Sequence, residues 1–153
     1  MAVVTTNSDL IHDFTDPDSV PPDPQRARGR IVVAIGTVAN LSTDSSASMY
    51  HLADIPAEAI LLPDTFFDVE NWGFAQVVIG TRTDTDALVD QTKATETVVT
   101  PIAVGDANHG LALWEVLGLA EKPKDGVCQI WAHAEAAATG AGSMPFGIHY
   151  LMP

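Results

Sequence analysis

Cysteine is almost absent from this chain. Cys128 stands alone, so no intramolecular disulfide can form and packing must hold the fold. Basic side chains are scarce as well, 7 against 20 acidic ones, which leaves a net charge of −13. Nucleic acid is bound by neutralising its phosphates, and anionic membranes attract the same positive sign, so neither is an expected partner. Charged residues make up only 18% of the chain, below the about 25% of an average domain. That leaves a surface rich in Thr, Ser, Ala and apolar groups, which suits a protein in contact with neighbours. No apolar run approaches the roughly 20 residues that span a bilayer. Residues 1–10 lack the basic start and apolar block of a secretory signal, so synthesis and assembly in the cytoplasm are expected.

Catalytic motifs are missing too. The histidines His12, His51, His109, His133 and His149 include no pair at the i, i+4 spacing of a zinc protease, and none has a cysteine at finger spacing. There is no G-x-S-x-G elbow, no phosphate-cradling G-x-x-x-x-G-K loop and no G-x-G-x-x-G turn. Asp84, Asp86 and Asp90 have carboxylate spacing that invites calcium. The stretch lacks the central glycine and terminal glutamate of an EF-hand loop, and Leu88 stands where an oxygen would be useful. The expectation is a protein that is not an enzyme and needs neither metal nor other cofactor.

What the chain does have is apolar patterning. At 153 residues and 46% hydrophobic, it is long enough for one domain that buries roughly two-thirds of its unfolded surface. In residues 127–135, Cys128, Ile130, Ala132 and Ala134 alternate with Gln129, Trp131, His133 and Glu135. In residues 144–151, Met144, Phe146, Ile148 and Tyr150 alternate with Pro145, Gly147 and His149. A period of two places successive side chains on opposite faces, so each run predicts a strand with one apolar face. The small-residue loop 136–143 between them predicts a closing hairpin, with His133 and His149 as surface neighbours across it. Cys128 falls on the apolar face, where a small buried hydrophobe is expected rather than a reactive thiol.

Further strands are predicted upstream. Residues 31–39 are β-branched and apolar on both faces, which suggests a central strand. Residues 49–53, 57–62, 74–80 and 97–104 are others, the last with Pro101 at an edge or bulge. A short strand around Leu88 would interrupt a polar connection. Seven to nine short strands suggest an all-β sandwich or barrel. Leu113, Trp114 and Leu117 fall at helical spacing before Gly118 and Pro123, which predicts one short helical turn over an open end of the sandwich.

Residues 1–29 read differently. Residues 13–30 hold four prolines and no periodicity, which predicts an extended N-terminal arm ahead of a domain at 30–153. Ile11, Phe14 and Val20 are apolar residues on a segment that cannot build its own core. On an extended backbone the alternate spacing of Arg26, Arg28 and Arg30 places all three on one side. These six residues are the candidates for contact with a partner. Tyr50, Trp72, Trp131, His133 and His149 are the candidates for an exposed or oligomer interface, since tryptophan is enriched at interface hot spots.

From Arg30 onward the order of segments resembles the capsid cement or decoration proteins of tailed bacteriophages. The resemblance rests on VAIGTVANLSTDSSASMYHLADIPAEAILL, then FAQVVIGT, then LALWEVLGLAEKPKDG, and then the strand, Ala/Thr/Gly turn and strand ending FGIHYL. The acidic, proline-rich residues 13–25 are not matched. The resemblance implies a jelly-roll-like antiparallel β-sandwich, no catalysis, and a place on the outside of an icosahedral virion. The expected partners are then the major capsid protein and further copies of the chain, as a homo-dimer or homo-trimer. Two alternatives stay open: a carbohydrate-binding β-sandwich using Tyr50, Trp72 and Trp131, and a cupin-type metal enzyme.

Overall fold

Alternating apolar residues build two facing sheets. The computed structural model describes residue 4 and residues 6–153, so residues 1–3 and 5 of the expected arm lie outside the described part. Nine strands follow in order among the described residues. They are β1 (Arg30–Asn40), β2 (Met49–Pro56), β3 (Ile60–Leu61), β4 (Phe66–Asp68), β5 (Gln76–Gly80), β6 (Val89–Thr92), β7 (Val98–Val99), β8 (Val127–His133) and β9 (Gly142–Met152). The first sheet runs β1-β9-β4-β7, with β3 also pairing on β9, and the second runs β2-β8-β5-β6. Every pairing is antiparallel. Apart from the two-residue β3, each strand crosses to the opposite sheet from its predecessor, save the hairpin β5–β6. Eight strands wound in this order are a jelly roll.

The core fills the space between the sheets. Ile55 from β2, Phe67 from β4, Val77 and Ile79 from β5, Ile130 from β8 and Ile148 from β9 are all buried there. Each such side chain contributes about 1.5–3 kcal/mol relative to exposure. Cys128 is buried among them on the predicted apolar face. The helical turn α2 (Leu113–Val116) appears where the spacing predicts it and buries Leu113 and Val116. The amides of Leu113 and Trp114 donate to the carbonyls of Ala59 and Ala57, which pins the turn to the segment leading into β3. Gly118, at φ +68°, supplies the left-handed residue just past its end.

Three expectations are corrected. β8 and β9 do not form a hairpin: they lie in opposite sheets, with their apolar faces turned toward each other across the core. Period-two patterning gives each strand one core face, but two such strands satisfy it equally well side by side or face to face. The strand at 31–39 is not central but the edge of the first sheet. Its inward Ala34 and Val38 pack on the core, whereas its outward apolar side chains remain open. The arm is not extended throughout, because α1 (Pro24–Arg28) closes it. Asp23 caps that helix by accepting from the Gln25 amide at 2.8 Å, and Pro24 occupies the first helical turn, where a missing N–H costs nothing. A helix also removes the alternate spacing that would have set Arg26, Arg28 and Arg30 on one side.

Candidate interaction surface

β1 pairs with β9 without a break over eleven residues, from Arg30 opposite Met152 to Asn40 opposite Gly142. Alternation then turns Ile31, Val33 and Ile35 outward, beside the outward Leu151, His149 and Gly147 of β9. Ile31 is 65% exposed and Ile35 80%. On the other side of β9, Phe66 of β4 is opposite Gly147, and its ring covers the place where a side chain at 147 would stand. Ile35, Gly147 and Phe66 therefore form one row across the sheet. Val98, also exposed, carries the apolar character to β7. The outward positions of β1 between Ile31 and Ala39 and of β9 between Ser143 and Leu151 contain no Asp, Glu, Lys or Arg. On a chain of net charge −13, such a face is the least repulsive place for another macromolecule to land.

The arm borders this face. Gln25 is buried and its amide Nε2 donates to two carbonyls, of Glu58 and of Leu151, each at 2.7 Å. That ties the root of the arm to the end of β9. Arg26 adds an ion pair with Asp9 at 2.6 Å, both side chains substantially exposed, so its contribution is small. Arg28 and Arg30 are exposed, with Arg30 Nε donating to the Pro153 carbonyl at 3.4 Å. Ile11, Phe14 and Val20 all point to solvent, Phe14 at 90% exposure with its ring edge-on to His12. Ile11, Phe14, Val20 and the three arginines are thus exposed, and α1 positions Arg26 and Arg28 while Arg30 opens β1.

The interface candidates divide. Trp72, expected at the surface, is only 1% exposed, because its turn folds inward and the ring packs against Tyr50 and Phe74. Tyr50 is half-buried beside it, and its hydroxyl donates to Asp44 Oδ2 at 2.5 Å, closing the β1–β2 turn. Burial first, and the Asp44 carboxylate second, push the Tyr50 hydroxyl well above its ordinary range. The same hydrogen bond, with the Leu41 amide, holds Asp44 below the usual carboxylate value. His133 is a second correction. It faces away from the core yet is 5% exposed, with Nε2 2.7 Å from the Thr81 carbonyl. It is also not a neighbour of His149, which lies on the other sheet with its ring 6.3 Å from that of Phe66. Trp131 is half-buried on the outer face of the second sheet, with the His51 imidazole stacked on it at 4.4 Å and the Arg82 guanidinium 5.7 Å from its centre. His51 in turn lies 2.8 Å from Asp54.

Sequence reasoning missed Ile31, Val33, Ile35 and Phe66. Their signal was a strand apolar on both faces, which reads as a buried centre until strand order is known. The neighbouring Asp86 side chain raises Asp84, while Asp90 on β6 accepts from Gln76 at 2.6 Å. Among the described residues no three His, Cys, Asp or Glu side chains converge as metal ligands, and no helix is long and apolar enough to cross a membrane. No family model matches the chain, and no match is found among curated proteins or solved structures.

Proposed function

We propose that this protein is a structural interaction protein that binds the outer surface of an icosahedral phage shell and braces the seams between capsomers. The observation that supports this most is the exposed face built from β1, β9 and Phe66 of β4, free of charge across β1 and β9 and reaching its first carboxylate only at Asp68, on an otherwise acidic chain. Burying apolar area of this kind on contact contributes about 25 cal/mol per Å² before the entropy and desolvation costs of association are subtracted. The arm, tied down at Gln25 and carrying Phe14 and Val20 outward, supplies a second contact that orders on docking. The resemblance of segment order to capsid cement proteins points the same way, with the major capsid protein as partner and the virion surface as location.

The physics requires no reaction. A ligand that favours the closed shell stabilises it by mass action, about 2.7 kcal/mol per site at a hundredfold excess over Kd. Repeated over many seams, modest affinity resists the pressure of packaged DNA. A glycan platform has less support, since Trp72 is in the core, Tyr50 is tucked against it and Trp131 carries His51 on its face.

Mixing the purified protein with expanded and unexpanded shells and pelleting them tests the reading. Binding to the expanded form is expected, and Pro145→Asp with Val98→Asp, both on the outer face but on strands other than β1, weakens it. No binding to either form at micromolar concentration contradicts the proposal.

A further inference from the structure

β1 offers more than an apolar face, because its second edge is unpaired. Among the described residues, the backbone of residues 31–39 hydrogen-bonds only across to β9. In an antiparallel ladder alternate residues of an edge strand turn their N–H and C=O groups outward, ready for another strand. Natural edges are blunted by lysine, proline, a bulge or a short strand. β1 has none of these between Ile31 and Ala39: it is eleven residues long, in unbroken register and uncharged over that stretch.

We infer that two copies of this chain join edge to edge through β1, antiparallel about a two-fold axis, to make one sheet that continues from copy to copy. The strand is suited to itself. Its midpoint is Ile35, the most exposed of its large apolar residues. A two-fold at that point sets Ile35 against Ile35 of the second copy, Val33 against Thr37 and Ile31 against Ala39. The two central pairs are β-branched on both sides, which favours cross-strand packing. The same register carries Arg30 of each copy to the far end of the other strand, beside the turn that holds the ionised Asp44. That is charge complementarity at both rims, while the middle carries no like charge to repel.

An antiparallel pairing needs its axis perpendicular to the sheet, so both outer faces stay on the same side. The dimer therefore doubles the charge-free face in one plane. This association is a property of the isolated chain and does not depend on the shell reading.

Sedimentation equilibrium of the full chain at micromolar concentration is the test. The expected mass is twice 16.2 kDa, falling to 16.2 kDa in Ile35→Lys, whose thermal melt stays that of a folded protein. A monomer, a trimer, or a dimer that survives Ile35→Lys overturns the inference. Ile35→Cys keeps the question decidable if the lysine variant fails to fold. Opposed residues in such a pair have Cα atoms about 4.5–5.5 Å apart, within reach of a disulfide. Oxidised Ile35→Cys should run as a covalent dimer and Val98→Cys should not, buried Cys128 staying silent in both; no crosslink at position 35 also overturns it. If the chain is monomeric yet pellets with shells, the pairing fails and the shell reading stands.

Discussion

Gly36 of β1 lies directly over the ring of Phe146 of β9, its partner in register, so closely that a Cβ at position 36 would stand 2.6 Å from Phe146 Cζ. The inward face of β1 therefore rests on an aromatic ring and has no room for a side chain there. Gly36→Val should destabilise the protein by about 1–3 kcal/mol through overpacking. One residue earlier, Ile35→Lys, compared with wild type at a dilution where both are monomeric, should leave stability nearly unchanged. Urea denaturation of both variants separates the two faces of the strand, and equal losses would contradict the assignment of inside and outside.

Gln25 anchors the arm through two carbonyls on separate parts of the body. Neutral hydrogen bonds contribute about 0.5–1.5 kcal/mol each, so Gln25→Ala should release α1 at a local cost of about 1–3 kcal/mol. Cleavage by trypsin after Arg26 and Arg28 should accelerate by about tenfold or more, as 1.4 kcal/mol is a factor of ten in an opening equilibrium. The global melt should hardly move. Unaltered cleavage would mean that the arm is held elsewhere.

Much of the core was legible before strand order was known. Cys128, Ile130, Ala132 and Ala134 are buried on the face that their alternation marks, and so are Met144, Phe146, Ile148 and Tyr150. These positions report on the strand they belong to, and periodicity is local. What periodicity does not carry is which strand lies beside which. The pairing of β1 with β9 joins residues more than a hundred apart, and only that pairing tells an edge from a centre. His133 and Trp72 failed for a related reason. Each is covered by a group far away in sequence, the carbonyl of Thr81 in one case and the ring of Tyr50 in the other. The α1 cap at Asp23-Pro24 was legible in principle, since Asp followed by Pro is a helix-start signal, but the neighbouring prolines masked it.

Stability should fall on the alkaline side through Tyr50. Folding favours the protonated phenol, because burial and Asp44 raise its pKa above the ordinary 10.0. The gain is complete below pH 10 and is lost as pH rises through the folded value. Tyr50→Phe should lose about 1–2 kcal/mol at pH 7, a melting shift of a few degrees, and the gap should narrow above pH 10. Asp44 acts with the opposite sign: its lowered pKa gives a contribution present above the ordinary 3.8 and lost in more acid solution. A gap between wild type and Tyr50→Phe that grows with alkalinity would contradict this account.

The Cys128 thiol is pushed up to about 11, by burial first and by Asp125 second. At neutral pH it is protonated as well as enclosed, and thiol reagents act on the thiolate. Labelling of the folded chain should be at least about a hundredfold slower than in denaturant. Rapid labelling of the native protein would show that the core beneath β8 opens readily.

A reconstruction of the particle that carries this protein tests the central claim most directly. The account predicts external density at the seams between capsomers, with the outer face of β1, β9 and β4 turned toward the shell and the opposite, His51–Trp131 face turned to solvent. Density in the reverse orientation, or a particle surface without the protein, would contradict it.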